Sequence, residues 1–150
     1  MRRKRTPTPL TCAGRGTLFY QLWVNEDVGA RSNTAASQAV IQQSQLTVSA
    51  TSEETVSEHN AASQAIDGKA LTIWHTKWNL SNPLPQSITF NLGGTHNVNG
   101  LKYLPRQIGS NGTITSYIIY VSLDGVNYTQ AAAGAWANDA TEKTAVFTAT

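Results

Sequence analysis

Asp67, Thr72, Trp74, His75 and Trp78 stand close together in the stretch Ala65-Ile66-Asp67-Gly68-Lys69-Ala70-Leu71-Thr72-Ile73-Trp74-His75-Thr76-Lys77-Trp78. Asp-Gly is a strong turn signal, because Asp bonds its own backbone and Gly tolerates positive φ. The Asp67 carboxylate, the Thr72 hydroxyl and the loop carbonyls are oxygen donors of the kind a hard cation such as Ca²⁺ takes. The turn runs directly into aromatic and imidazole side chains. Two readings are open on these residues alone: a loop that holds a small ion and presents a platform, or a hairpin turn ahead of a buried tryptophan.

Other reactive side chains do not assemble into a catalytic set. Cys12, the lone cysteine, has no paired base nearby in sequence and excludes an internal disulfide. Glu53, Glu54 and Glu58 crowd one loop and do not face each other across a cleft, as a glycosidase pair would. His59, His75 and His96 lack the spacing of a zinc site. The chain reads as a non-enzyme.

These residues need a scaffold. A length of 150 residues predicts one domain, and 40% apolar with only 13% charged residues fits a folded chain. The net charge of +2 misleads, since Arg2, Arg3, Lys4, Arg5, Arg15 and Arg31 all precede Ser32. From Ser32 onward five bases face seven acids, so the expected domain is mildly acidic and carries no basic stripe for nucleic acid. No apolar run is long enough to cross a membrane as a helix.

Residues 1–40 read as an irregular or linker leader, with a basic start broken by Pro7, Pro9, Gly14 and Gly16. The Ser/Ala/Gln-rich run up to Gln45 is also linker-like. Leu46, Val48 and Ala50 then alternate with polar residues as in a half-buried strand. Ile88, Phe90 and Leu92 alternate inward and end at Gly93-Gly94, and Val98, Leu101 and Tyr103 are core candidates of the next strand. Ile114 to Ser122 is the strongest strand, followed by the Asp124-Gly125 turn, and further strands are expected over 129–134 and 145–150. Many short strands with regular turns predict an all-β sandwich.

The segments AIDGKALTIWHTKW, SITFNLGG, VNGLKYLPRQ and SNGTITSYIIYVSLDGVNY occur in that order, and from about Ile41 onward they resemble the discoidin or coagulation factor 5/8 type C domains. The branch most resembled is the family 32 carbohydrate-binding modules found in sialidases and galactose-oxidase-like enzymes. The resemblance implies a discoidin-like, galactose-binding-like jelly-roll β-sandwich over 41–150. By the same resemblance the family's closing strands are expected to be missing, so that the domain reads as truncated at the C-terminus. It also implies a structural Ca²⁺ held by the carbonyls of Gln64 and Lys69, the Asp67 carboxylate and Thr72. For sugar, it implies His75 and Trp78 from the Trp-His-Thr-x-Trp motif, Arg106 from Leu-Pro-Arg-Gln, Asn111 from the following Asn-Gly loop, and Glu58 as the acid ahead of the Asp-Gly loop.

Aromatic rings stack on the apolar face of a pyranose, while charged and amide groups bond its hydroxyls. The resemblance therefore implies non-catalytic binding of terminal galactose or N-acetylgalactosamine-type sugars. Such binding would hold a fused or neighbouring enzyme on extracellular, galactose-type glycans, with no membrane insertion. The alternative is an accessory domain that packs on a galactose-oxidase-like or sialidase catalytic domain and binds no sugar. Exposure of Trp78 beside His75 and Arg106 separates the two.

Overall fold

The computed structural model describes residues 9–15, 21–26, 39–78, 83–109 and 111–148. The basic run Arg2–Arg5 lies outside them. Among the described residues nine strands are formed: β1 (Pro9–Arg15), β2 (Gln21–Glu26), β3 (Ala39–Val40), β4 (Thr47–Ala50), β5 (Gln86–Asn91), β6 (Val98–Leu104), β7 (Ser116–Val121), β8 (Thr129–Ala135) and β9 (Lys143–Val146). Short 3-10 turns cover Gln43–Gln45 and Ala62–Ile66. The strands make a five-stranded sheet in the order β4-β5-β1-β7-β8 and a four-stranded sheet in the order β3-β2-β6-β9. All pairings are antiparallel.

Period-2 burial builds the interior. In β5, Ile88 and Phe90 are buried while Ser87, Thr89 and Asn91 are half-buried. Val98, Leu101 and Tyr103 of β6 join them, with Leu92, Ile114, Ile119 and Trp74. Burying each of these large side chains is worth roughly 1.5–3 kcal/mol. The Tyr103 hydroxyl enters the core with its own partner, accepting from the Ile114 backbone N–H at 3.1 Å. A buried phenol without one would pay for its desolvation.

The irregular leader expected over 1–40 is corrected for three stretches, β1, β2 and β3. β1 is the central strand of the larger sheet, with Leu10 opposite both Phe90 and Val121, and Cys12 opposite both Ile88 and Ile119. β2 lies between β3 and β6. Pro9, Ala13 and Gly14 are poor strand formers, which is why local propensity points away from a strand. The ladder is supplied by the neighbours: β5 and β7 each offer β1 a long edge. Pro9 is the first residue of its strand, where the missing N–H is tolerated. The linker-like run before Gln45 also contributes to the core, because Ile41 is buried.

The connection from β4 to β5 (residues 51–85) and that from β6 to β7 (residues 105–115) carry every expected site residue.

Candidate functional site

Trp74 and Trp78 have opposite fates. Trp74 is 1% exposed, and its Nε1–H donates to the Ser52 carbonyl at 2.9 Å. The Ser52 hydroxyl in turn accepts from the Lys77 backbone N–H at 3.0 Å. With the segment pinned at these two points, Trp78 stands outward, 52% exposed.

Three backbone bonds lock the two arms of this connection together. Glu54 N–H donates to the His75 carbonyl at 2.7 Å, Asn60 N–H to the Glu54 carbonyl at 2.9 Å, and His75 N–H to the Asn60 carbonyl at 3.1 Å. The Glu54 carboxylate accepts from the backbone N–H groups of Ser57 at 2.8 Å and Val56 at 3.1 Å, and also from that of Trp78. These donors, Ser57 first, hold its carboxyl below the usual carboxylate range against the opposing effect of burial. Glu53 Oε2 accepts from Ala62 N–H at 2.7 Å, satisfying the start of the 3-10 turn.

His75 and Trp78 meet edge to face, with ring centroids 5.7 Å apart and planes at 67°. His75 Nδ1 lies 2.5 Å from the Thr76 carbonyl oxygen and 3.2 Å from Trp78 Nε1. A carbonyl only accepts, so the shorter contact assigns the hydrogen to Nδ1 and makes the Trp78 contact one of packing. Nε2 is then an acceptor for a hydroxyl. Glu58 is exposed and accepts from Asn60 Nδ2 at 2.6 Å, so Glu58, Asn60, His75 and Trp78 form one connected group.

Arg106 and Asn111 belong to the other connection. Arg106 Nε–H donates to the Ile108 carbonyl at 2.7 Å and Nη1–H to the Asn111 carbonyl at 3.3 Å, which fixes the guanidinium on its own loop. The Asn111 side chain is exposed. The two connections share a cavity of about 260 Å³ lined by Asn60, Gln64, Leu71, Thr72, Ile73, Arg106, Gln107 and Ile108. Asn60 is thus the wall common to the cavity and the His75 group.

The Asp67 turn closes on itself. Gly68 adopts φ 76°, a conformation that a Cβ would strain. Asp67 Oδ1 accepts from Lys69 N–H at 2.9 Å, and the Thr72 hydroxyl lies 2.9 and 2.8 Å from the two carboxylate oxygens and 2.9 Å from the Lys69 carbonyl. Carboxylate, hydroxyl and carbonyl oxygens therefore converge, the donor set that suits a hard cation. Among the described residues no group of three or more His, Cys, Asp or Glu gathers as a metal site.

Sequence reasoning missed Glu54, Asn60, Leu71 and Ile108. Glu54 and Asn60 act mainly through backbone amides, which no residue pattern announces. Leu71 and Ile108 are aliphatics in loops, a feature visible in the sequence but without a periodicity to interpret it.

The F5/8 type C domain model matches residues 47–150. The chain belongs to this family. CpGH89CBM32-5 from Clostridium perfringens, solved in complex with GalNAc-β-1,3-galactose, has a similar structure: 44% identity, TM-score 0.70, covering 73% of this chain and 80% of that one. The family 32 module of C. perfringens NanJ, solved with galactose, superposes with 43% identity and TM-score 0.66, over 73% of this chain and 78% of that one. Together they establish the discoidin-like β-sandwich expected from the motifs. Among curated proteins, a sialidase of Micromonospora viridifaciens is 40% identical over 101 residues, 65% of this chain. An A type blood N-acetyl-α-D-galactosamine deacetylase of Flavonifractor plautii is 39% identical over 109 residues, 72% of this chain. A galactose oxidase of Gibberella zeae is 40% identical over 92 residues, 59% of this chain. The F5/8 type C domain described here spans only 14–16% of the length of these relatives. Among its described residues no helix is long and apolar enough to cross a membrane.

Proposed function

We propose that this domain binds terminal galactose or N-acetylgalactosamine-type sugars without catalysis and holds an attached or neighbouring glycan-active enzyme on galactose-type glycans outside the cell. The observation that carries the reading is the exposed Trp78 ring, set edge to face on His75 and joined through Asn60 to the cavity that Arg106 walls. An exposed indole offers a sugar ring its apolar face. His75 Nε2 accepts from a hydroxyl while Arg106 donates, which matches the dual character of each sugar hydroxyl. Glu58 and Asn111, one on each connection, are exposed and complete the proposed set. Binding of this kind raises the local concentration of an enzyme at its substrate and needs only modest affinity.

Ca²⁺ is proposed as a structural ion, held by the Asp67 carboxylate, the Thr72 hydroxyl and the carbonyls of Lys69 and Gln64. It would tie the Asp67 turn to the 3-10 turn before it and supply no chemistry. Addition of Ca²⁺ is expected to raise the melting temperature, and Asp67→Ala to abolish that rise. An identical melting curve in Ca²⁺ and in chelator would remove the ion from the account.

The experiment for sugar is a titration with galactose, N-acetylgalactosamine and glucose followed by tryptophan fluorescence and amide shifts. Saturable changes with the two galacto-sugars, weakened at least tenfold in His75→Ala and Trp78→Ala, are expected. No response from a folded sample would leave the packing role on a catalytic domain, for which the exposed Leu123, Val126 and Tyr128 of the β7–β8 turn provide an apolar surface.

A further inference from the structure

We infer that Gln107 is a positioning residue for the sugar site: it straps the Arg106 loop to the β8–β9 turn and so sets where the guanidinium stands. This rests on the sugar-binding reading above and deepens it. The bonds of Arg106 to the carbonyls of Ile108 and Asn111 are both to its own loop. A Cβ on Gly109 would lie 3.5 Å from Arg106 Cζ, so the guanidinium rests against that glycine as well. It therefore goes where the loop goes, and its place relative to His75 and Trp78 depends on what anchors the loop.

The two ends of the loop are fixed in the interior. Tyr103, next to the last residue of β6, is buried, and its hydroxyl accepts from the N–H of buried Ile114 at 3.1 Å. Between these ends Gln107 Nε2 has two hydrogens and uses both, donating to the Pro105 carbonyl at 2.7 Å and to the Ala140 carbonyl at 3.1 Å. The first bond holds the amide on its own loop, and the second crosses to the β8–β9 turn. Gln107 also lines the cavity that Arg106 walls.

The turn is a firm point of attachment. Lys143 is 6% exposed and lies opposite Tyr103 in the ladder of β6 and β9. Its ammonium donates to Asp139 Oδ1 and, at 2.8 Å, to Thr141 Oγ1, while Asp139 Oδ1 also accepts from the Thr141 N–H at 2.9 Å. Glu142 adds an ion pair with Lys102 of β6 at 3.1 Å. A buried ammonium held by residues 139 and 141 fixes the bend that aims the Ala140 carbonyl between them at Gln107. Residues 139–142 supply none of the proposed sugar contacts, so their effect on sugar runs through Gln107 and Arg106.

A bond of this kind in a surface loop ordinarily contributes to stability alone, and what marks a positioning role is dependence on Arg106. The test is a double-mutant cycle on the full chain, read by NMR titration with galactose. Gln107→Ala is expected to weaken galactose roughly three- to tenfold, about the worth of one hydrogen bond, and to shift the Arg106 Nε–H resonance in the free protein. In Arg106→Lys there is no planar fork to aim, so adding Gln107→Ala should cost less than about twofold more. Lys143→Met removes the buried charge and leaves Asp139, whose side chain is 48% exposed, to water. It is expected to shift the same Arg106 resonance and to weaken galactose about twofold or more. Should that variant not fold, or Arg106→Lys bind too weakly to titrate, the Arg106 resonance in Gln107→Ala decides. An unmoved resonance, or equal losses on Gln107→Ala in both backgrounds, would overturn the strap and leave the sugar site standing. Absence of galactose binding by the folded, unaltered protein would overturn the sugar site and the strap with it.

Discussion

The Glu54 carboxylate collects the backbone N–H groups of Ser57, Val56 and Trp78, so a side chain 5% exposed sets the posture of a ring 52% exposed. Glu54→Gln would present an NH₂ to donors that need an acceptor. We expect sugar affinity to fall three- to tenfold in that variant while the near-ultraviolet signal of buried Trp74 is retained. Titration would show the first and circular dichroism the second. The pH dependence has a definite sign. Glu54 is held below its ordinary 4.5, so the fold prefers the charged form, and its stabilisation is complete above that value and lost as the pH falls through the depressed one. Asp139, lowered to about 2 by Lys143 and then Thr141, adds to the same acid limb from further down. Melting temperature should therefore be level above about pH 5 and decline below it, with a shallower decline from pH 5 to 3 in Glu54→Gln; an unchanged slope would remove Glu54 from that role.

At the scale of elements, β7 and β8 show how one strand compensates for another. Gly134 of β8 lies opposite Tyr117 of β7, and a Cβ on it would come within 2.7 Å of the Tyr117 hydroxyl oxygen. The Tyr117 ring lies over this glycine and stacks on Trp136, centroids 3.9 Å apart. Gly134→Ala must displace that ring, and a loss of roughly 1–3 kcal/mol with an altered near-ultraviolet spectrum is expected on denaturation. β5, β6 and β7 were legible in the sequence because burial on one face imposes alternation: Ile88 and Phe90 are as readable as they are buried. The Asp124 turn was legible for a different reason, since its carboxylate serves the N–H groups of Val126 and Asn127 within the same short segment. In the site, residues offering a side chain to a ligand could be picked out by type and motif. Glu54 and Asn60, which offer theirs to the chain, could not. β1 was illegible because its own residues carry little of the reason for its being a strand.

For the whole molecule, that strand decides whether the larger sheet is continuous. β5 and β7 have no ladder with each other and are joined only through β1. Cys12→Pro would remove a backbone donor from the middle of a strand flanked on both sides. A cost of roughly 2–4 kcal/mol is expected from the lost ladder bond and the acceptor it orphans. Faster amide exchange in β5 and β7 should accompany it. Melting and exchange indistinguishable from the parent would mean that the two strands hold without β1.

The position of β1 also sets an order of events during synthesis. Leu10 is made long before Phe90 and Val121, the residues it lies between. Pairings so distant along the chain close slowly, and none of these can close until Phe90 has left the ribosome. Until then β1 has no partner in its sheet. A nascent chain halted before Val121 would hold half a sheet with an open edge at its centre.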